Sequence, residues 1–403
     1  MSGDTEAGDA PDLSATPDVA EAAEGADGQI AGEAPGMDSG DAAAAAAVER
    51  WTARAPEGWA APEDEWGPDI LGPGFQARTL PLHDDEDGPV VATLVRHVPA
   101  DDPRALPGTP SSPTFAYLHL HGWNDYFFQR DTARVISRLG GAFYALDLRA
   151  YGRSLRDHQL PGFVTDLRRY DEDLHAALWA IRAERGDEVD LVLGGHSTGG
   201  LVATLWADRH PGALRALVLN SPWLELVSMQ VITKLSAAAL AGLARRAPRT
   251  RIPVKDPGIY TRTLSGWLDS DGPRPAQTEG DPFYDGWDLD PRWRRAPADI
   301  YAGWIAAVTE GHAAVAKGLD ISCPVFVLTG SRRSRVLSSS VDPRAADIVL
   351  DVEGMRRRAM DLGDRVSVIS VEGAIHDVLA SARPARERAF RELSRWLRAY
   401  VPR

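Results

Sequence analysis

From residue 76 onward, short apolar runs alternate with stretches in which apolar residues recur every three or four positions. A short apolar run suits a strand buried on both faces, and a recurrence near 3.6 suits an amphipathic helix. Residues 77–81 and 90–98 are predicted to pair as a hairpin across the acidic turn 84–88. Further strands are expected at 115–120, 142–147, 189–193, 214–220, 324–329 and 366–371. Helices are expected at 126–139, 165–184, 201–209, 299–317, 352–362 and 382–400. This alternation predicts an α/β architecture, a mostly parallel sheet with helices on both faces.

The alternation breaks over residues 222–298. A largely apolar helix, 224–245, carries Leu226, Met229, Ile232, Leu235, Ala239 and Leu243 at helical spacing. An irregular segment rich in Pro, Asp and aromatics follows, with Trp267, Phe283, Tyr284, Trp287 and Trp293. An insertion between two core strands reads as a helical lid over the sheet. Residues 1–48 are dominated by Ala, Gly, Asp and Glu. They hold too little apolar surface to offset ordering entropy, so a disordered acidic tail is expected there. The predicted layout is thus a tail at 1–48 and one catalytic domain at 49–403, with the lid at 222–298 inside it.

Charge adds a negative result. The formal net charge of −14 is concentrated at the start, because residues 1–50 hold twelve acidic side chains and one basic. Only −3 remains for the rest, which leaves no electrostatic footprint for nucleic acid. The single cysteine, Cys323, excludes an internal disulfide, and its apolar flanks place it at the start of a buried strand. The acidic N-terminus does not have the pattern of a signal peptide, and no apolar run reaches the length of a membrane span. A cytoplasmic enzyme without stable membrane insertion is expected. Oligomeric state is not legible.

The chemistry centres on Gly195-His196-Ser197-Thr198-Gly199. A G-x-S-x-G is weak by itself. Here it follows an apolar strand and precedes a helix, the setting of a nucleophile elbow that presents Ser197 at a sharp turn. His121-Gly122-Trp123 ends the strand 115–120. The N–H groups of Trp123 and Thr198 would then form a two-donor oxyanion hole. His376 lies after the last strand and before the last helix, where the base of an α/β-hydrolase fold falls in chain order. The acid should follow the strand 324–329, but Ser331–Arg335 holds no carboxylate, so Asp342, Asp347 and Asp351 remain candidates. A rival metal site at His119, His121 and Asp125 lacks a further His or Cys at ligand spacing.

These motifs, with Asp147-Leu148-Arg149-Ala150-Tyr151-Gly152-Arg153-Ser154, Asn220-Ser221-Pro222 and Gly373-Ala374-Ile375-His376, resemble the α/β hydrolases grouped as monoacylglycerol lipases, lysophospholipases and serine aminopeptidases. The resemblance covers about residues 77–400. It implies an acid within an Ala-Asp-x-x-x-Asp segment roughly thirty residues before the histidine. Ala346-Asp347-Ile348-Val349-Leu350-Asp351 fits and favours Asp347, 29 residues before His376. The Arg- and Ser-rich stretch 331–345 is a departure from that pattern.

The predicted activity is a two-step acyl transfer by Ser197, His376 and Asp347, with no metal or organic cofactor. His121, Gly122, Phe127 and Trp223 are the expected substrate contacts, with the lid aromatics. The expected partner is a small-molecule ester with an apolar acyl chain, such as a monoacylglycerol or lysophospholipid. One rival is a peptidase for free N-termini, whose substrate ammonium Asp269, Asp271, Glu279, Asp281 or Asp285 would hold. Another is an inactive fold used as a binding module. A dehalogenase is disfavoured because its elbow nucleophile would be Asp.

Overall fold

The computed structural model describes residues 54–225, 237–252, 259–295, 298–334 and 342–401. All lie in the compact unit Arg50–Arg403, and the expected acidic tail lies outside the described residues. The core is a sheet of nine strands: β1 (Gly67–Pro68), β2 (Phe75–Pro81), β3 (Val91–His97), β4 (Phe115–Leu120), β5 (Gly141–Asp147), β6 (Asp190–His196), β7 (Ala216–Asn220), β10 (Val325–Gly330) and β11 (Val366–Val371). Their order is β1-β2-β3-β5-β4-β6-β7-β10-β11. The six from β5 to β11 run parallel, and β1, β2 and β3 join by antiparallel pairing. A separate pair, β8 (Arg251–Ile252) and β9 (Ile300–Tyr301), is antiparallel.

Alternation along the strands sorts the core into two faces. Leu118, Leu120, Leu193, Leu217 and Val327 pack on one side, and Phe115, Tyr117, Val192, Val218 and Phe326 on the other. Helices cover both: α1 (Arg130–Arg138), α2 (Tyr170–Arg185), α3 (Thr198–Arg209), α7 (Ala302–Val315), α8 (Val352–Ala359) and α9 (Arg383–Tyr400). Helix α2 has Asp171, Glu172 and Asp173 in its first turn and Arg182 and Arg185 in its last, as the helix dipole favours, and ends at Gly186 with φ 92°. Among the described residues no helix is long and apolar enough to cross a membrane.

Two predicted helices start late. The one expected from 126 begins at Arg130, and the preceding N–H groups are held by side chains. Tyr126 donates to Asp125 Oδ1 at 3.0 Å, Phe127 to Asp147 Oδ1 at 2.9 Å and Phe128 to Gln129 Oε1 at 3.2 Å. The one expected from 165 begins at Tyr170, after Asp166 caps a short turn of 3-10 helix at Leu167–Arg169. In the insertion, residues 222–225 are not helical, and the described helix is α4 (Ala237–Arg246), packed against α7. Leu226, Met229, Ile232 and Leu235 lie outside the described residues. Short helices α5 (Ile259–Leu264) and α6 (Pro282–Asp285) complete the insertion.

Candidate active site

Strand register assembles the site. Leu120 of β4 is level with Gly195 of β6, so the segment from His121 leaves the sheet beside the elbow. Gly330 of β10 is level with Val371 of β11, so the chain after each of these strands emerges at the same end. Ligand and catalytic groups in such sheets gather at the C-terminal ends of the parallel strands.

At the elbow, Ser197 has φ 53° and ψ −117°. For a residue with a side chain this is strained backbone, held by packing around it. Two glycines permit the turn. A Cβ on Gly195 would stand 2.6 Å from the Gly199 carbonyl, and one on Gly199 would collide with the His121 carbonyl. Helix α3 starts at Thr198, so its positive end faces the serine. Neither the Thr198 nor the Trp123 N–H is spent on a hydrogen bond among the described residues.

His376 Nε2 lies 3.0 Å from Ser197 Oγ, and its Nδ1 lies 2.9 Å from Asp347 Oδ2. With the proton on Nδ1, Asp347 accepts it and Nε2 is left to accept from the serine hydroxyl. Asp347 is fully buried, and its Oδ1 accepts from the N–H groups of Val349 and Leu350, each at 2.8 Å. Burial raises its pKa most. His376 and the two N–H groups outweigh that and leave it below the ordinary carboxylate value.

The described residues on either side of 335–341 meet at the end of β10. Ser331 donates to the Val371 carbonyl at 2.9 Å, Asp347 N–H to the Arg332 carbonyl at 2.9 Å, and Ser334 N–H to the Asp347 carbonyl at 2.9 Å. The other two candidate acids each precede a local helical turn. Asp342 caps Pro343–Ala345 through Arg344 N–H, and Asp351 is the residue before α8.

Several expected substrate contacts fall elsewhere. Phe127 is fully buried beneath the loop, 5.1 Å ring to ring from Phe143, because its N–H is anchored to Asp147. His121 is also buried. Its Nε2 accepts from Leu148 N–H at 3.1 Å and its Nδ1 meets the Gly122 carbonyl at 2.7 Å, so it braces the loop. Gly122 sits against the elbow, where a Cβ would be 3.2 Å from Ser197 Cβ. Trp223 is 4% exposed, and its N–H donates to the Ser197 carbonyl at 2.9 Å. Of the rival metal set, Asp125 pairs with Arg294, and burial pushes His119 down to about 3.

The structure adds aromatic residues the sequence did not single out. Trp304 of α7 is buried between Trp123 (5.5 Å) and Trp223 (6.1 Å) and backs Trp123 from the core. Beside Trp123 opens a cleft lined by Tyr151, Leu155, Pro161, Trp293 and Arg295 among others. Of the insertion's tryptophans only Trp293 lines it. Trp287 packs on Phe128 at 5.1 Å, and Trp267 stacks with Tyr284 under Arg344.

A family model described as serine aminopeptidase, S33 matches residues 112–336, more than half the chain. The chain belongs to the serine aminopeptidase S33 family. The family match takes in Trp123 and Ser197 and stops short of Asp347 and His376. Lysophospholipase L2 of Escherichia coli (strain K12) is 33% identical over 105 residues, 25% of this chain and 30% of that protein. The chain therefore matches less than a third of the curated relative's length. A soluble variant of the Saccharomyces cerevisiae monoglyceride lipase, in complex with a substrate analogue, superposes with a TM-score of 0.52 at 15% identity, over 87% of this chain and 99% of that one. A carboxyl esterase from Bacillus coagulans, in complex with glycerol, gives 0.50 at 15% identity over 81% and 99%. At such identities the likeness shows the fold, which is that of the α/β hydrolases.

Proposed function

We propose that this chain is a serine hydrolase that cleaves carboxylic esters with an apolar acyl chain, of the monoacylglycerol or lysophospholipid kind. One observation carries the reading: the unbroken series Ser197 Oγ, His376 Nε2, His376 Nδ1 and Asp347 Oδ2, with spacings of 3.0 and 2.9 Å. Ser197 Oγ attacks the ester carbonyl while His376 takes its proton. The carbonyl oxygen becomes an oxyanion facing the Trp123 and Thr198 N–H groups. His376 then protonates the leaving alcohol as the C–O bond breaks. Water, deprotonated by His376, releases the acid and returns the proton to Ser197.

The apolar preference rests on Trp123 and the cleft bearing Tyr151, Leu155 and Trp293. The peptidase reading would need a free carboxylate for an ammonium. In the insertion, Asp271 is bound by Arg262 and Arg344, Asp281 by Arg386 and Asp285 by Arg274. Asp269 and Glu279 have no ion pair among the described residues, and Asp299 lines the cleft beside Trp123, so the aminoacyl anilide is the discriminating substrate.

The test is fluorophosphonate labelling of the parent and of Ser197→Ala, followed by p-nitrophenyl esters of graded length against an aminoacyl anilide. Labelling of the parent alone, with ester turnover rising with chain length, is the expected result. An unlabelled but folded parent overturns the enzyme reading. Anilide turnover above ester turnover overturns the substrate class.

A further inference from the structure

Behind the serine and histidine lies a second polar set that the acyl transfer does not use. Asn220 ends β7, 4% exposed. Its backbone carbonyl accepts from the Ser197 N–H at 3.1 Å and meets His196 Nδ1 at 3.0 Å. Its side-chain amide donates to Asp377 Oδ1 at 2.7 Å, and its side-chain carbonyl accepts from the Val378 N–H at 3.1 Å. Asp377 directly follows His376 and is 1% exposed. It also accepts from Gln129 Nε2 at 2.9 Å and from the Leu379 N–H at 3.1 Å. One residue thus grips the nucleophile's backbone with its main chain and the base's loop with its side chain.

We infer that Asn220, clasped to Asp377, is a positioning residue that sets the separation of Ser197 and His376. The inference rests on those two being the reacting pair. An asparagine that only satisfied the end of β7 would spend its side chain on that strand or its neighbours. Here both side-chain contacts go to the two residues that follow His376. The clasp also has a defined polarity. Asp377 is a buried carboxylate, and burial raises its pKa while His196, Gln129 and Asn220 outweigh that and lower it. A carboxylate therefore needs an amide donor opposite, and a second carboxylate at this spacing would repel it.

That polarity supplies the test. Asn220→Asp sets two carboxylates face to face. Asn220→Asp combined with Asp377→Asn leaves one carboxylate and restores the hydrogen bond in reverse. The readouts on the full chain are the second-order rate of fluorophosphonate labelling, kcat and KM on a short p-nitrophenyl ester, and the thermal midpoint. We expect Asn220→Asp to lose about tenfold or more in labelling and kcat, with KM changed less than about twofold. The double substitution should recover most of that loss. A merely structural role would move the thermal midpoint and leave the labelling rate of the folded fraction unchanged, which overturns the inference. So does a double variant no faster than Asn220→Asp. If Asn220→Asp does not fold, Asn220→Ala replaces it: parental labelling overturns the inference, and about tenfold slower labelling upholds it. A parent that does not label overturns the functional reading and this inference with it, whereas a labelling parent with an indifferent Asn220 overturns the inference alone.

Discussion

Asp347 and Arg332, 15 positions apart in sequence, are joined by a hydrogen bond from the Asp347 N–H to the Arg332 carbonyl at 2.9 Å. That contact brings the carboxylate back to the end of β10, where a residue directly following the strand would stand. Asp347→Asn should lower kcat by roughly 10³–10⁴, because it disfavours the histidine tautomer that can accept the serine proton. Asp342→Asn and Asp351→Asn should stay within about threefold, since loss of the Asp342 cap costs only about 1 kcal/mol of stability and the Asp351 side chain makes no cap bond at α8. Steady-state kinetics on one ester separates the three. A large loss in either of the latter two, with Asp347→Asn active, would reassign the acid.

The elbow should tolerate no side chain at Gly199. A Cβ there meets the His121 carbonyl, which is backbone and cannot rotate away. Gly199→Ala should cost about 1–3 kcal/mol or more in urea unfolding, and should slow labelling of Ser197 in the protein that remains folded. Unchanged stability would mean that the loop at His121 yields more easily than its bonds to Leu148 and Gly122 suggest.

Chain-length preference should respond to the cleft. Trp293 packs on Tyr126 at 5.1 Å and lines the opening beside Trp123. Trp293→Ala should raise KM for long acyl esters by about tenfold, the value of roughly 1–2 kcal/mol of lost apolar contact. Butyrate esters should be nearly indifferent. An equal effect on both would place the acyl chain elsewhere.

Acid stability should depend on Asp102, far along the chain from the site. It accepts from His97 Nε2 at 3.1 Å, Arg134 Nε at 2.7 Å and Arg104 N–H at 2.8 Å. Burial raises its pKa, and these partners more than reverse that, so the folded value lies below the unfolded one. A lowered carboxylate stabilises the fold above its unfolded pKa near 4 and loses that contribution as pH falls through the folded value. Asp102→Asn should reduce stability at pH 7 by about 2–4 kcal/mol and flatten the loss between pH 4 and pH 2. Urea midpoints across that range decide it. A variant with the same acid limb as the parent would remove Asp102 from the account.

The layout of strands and helices was legible because apolar period alone distinguishes an element buried on both faces from one buried on a stripe. The strand at Val366–Val371 and the helix ending at Tyr400 fall where the pattern put them. Helix starts were less legible. Tyr126 to Phe128 have helical spacing, and the bond from the Phe127 N–H to Asp147, on a distant strand, ties this stretch to the sheet. Phe127 reads as a pocket residue by its place after the glycine loop, and the same bond to Asp147 turns it into core.

By itself, the sequence determined the α/β class and the strand–turn–helix around Ser197. Both depend on local period and on glycines next to one serine, and these are properties of neighbours along the chain. Tertiary structure decided which carboxylate meets His376, which aromatics line the cleft, and that Asn220 bridges the serine and the histidine loop. Those pairs lie 29, 170 and 157 positions apart, as for Asp347 with His376, Trp123 with Trp293 in the cleft lining and Asn220 with Asp377. Local preference carries no information about such pairs. Strand register and the bond from the Asp347 N–H to the Arg332 carbonyl at the end of β10 bring them together.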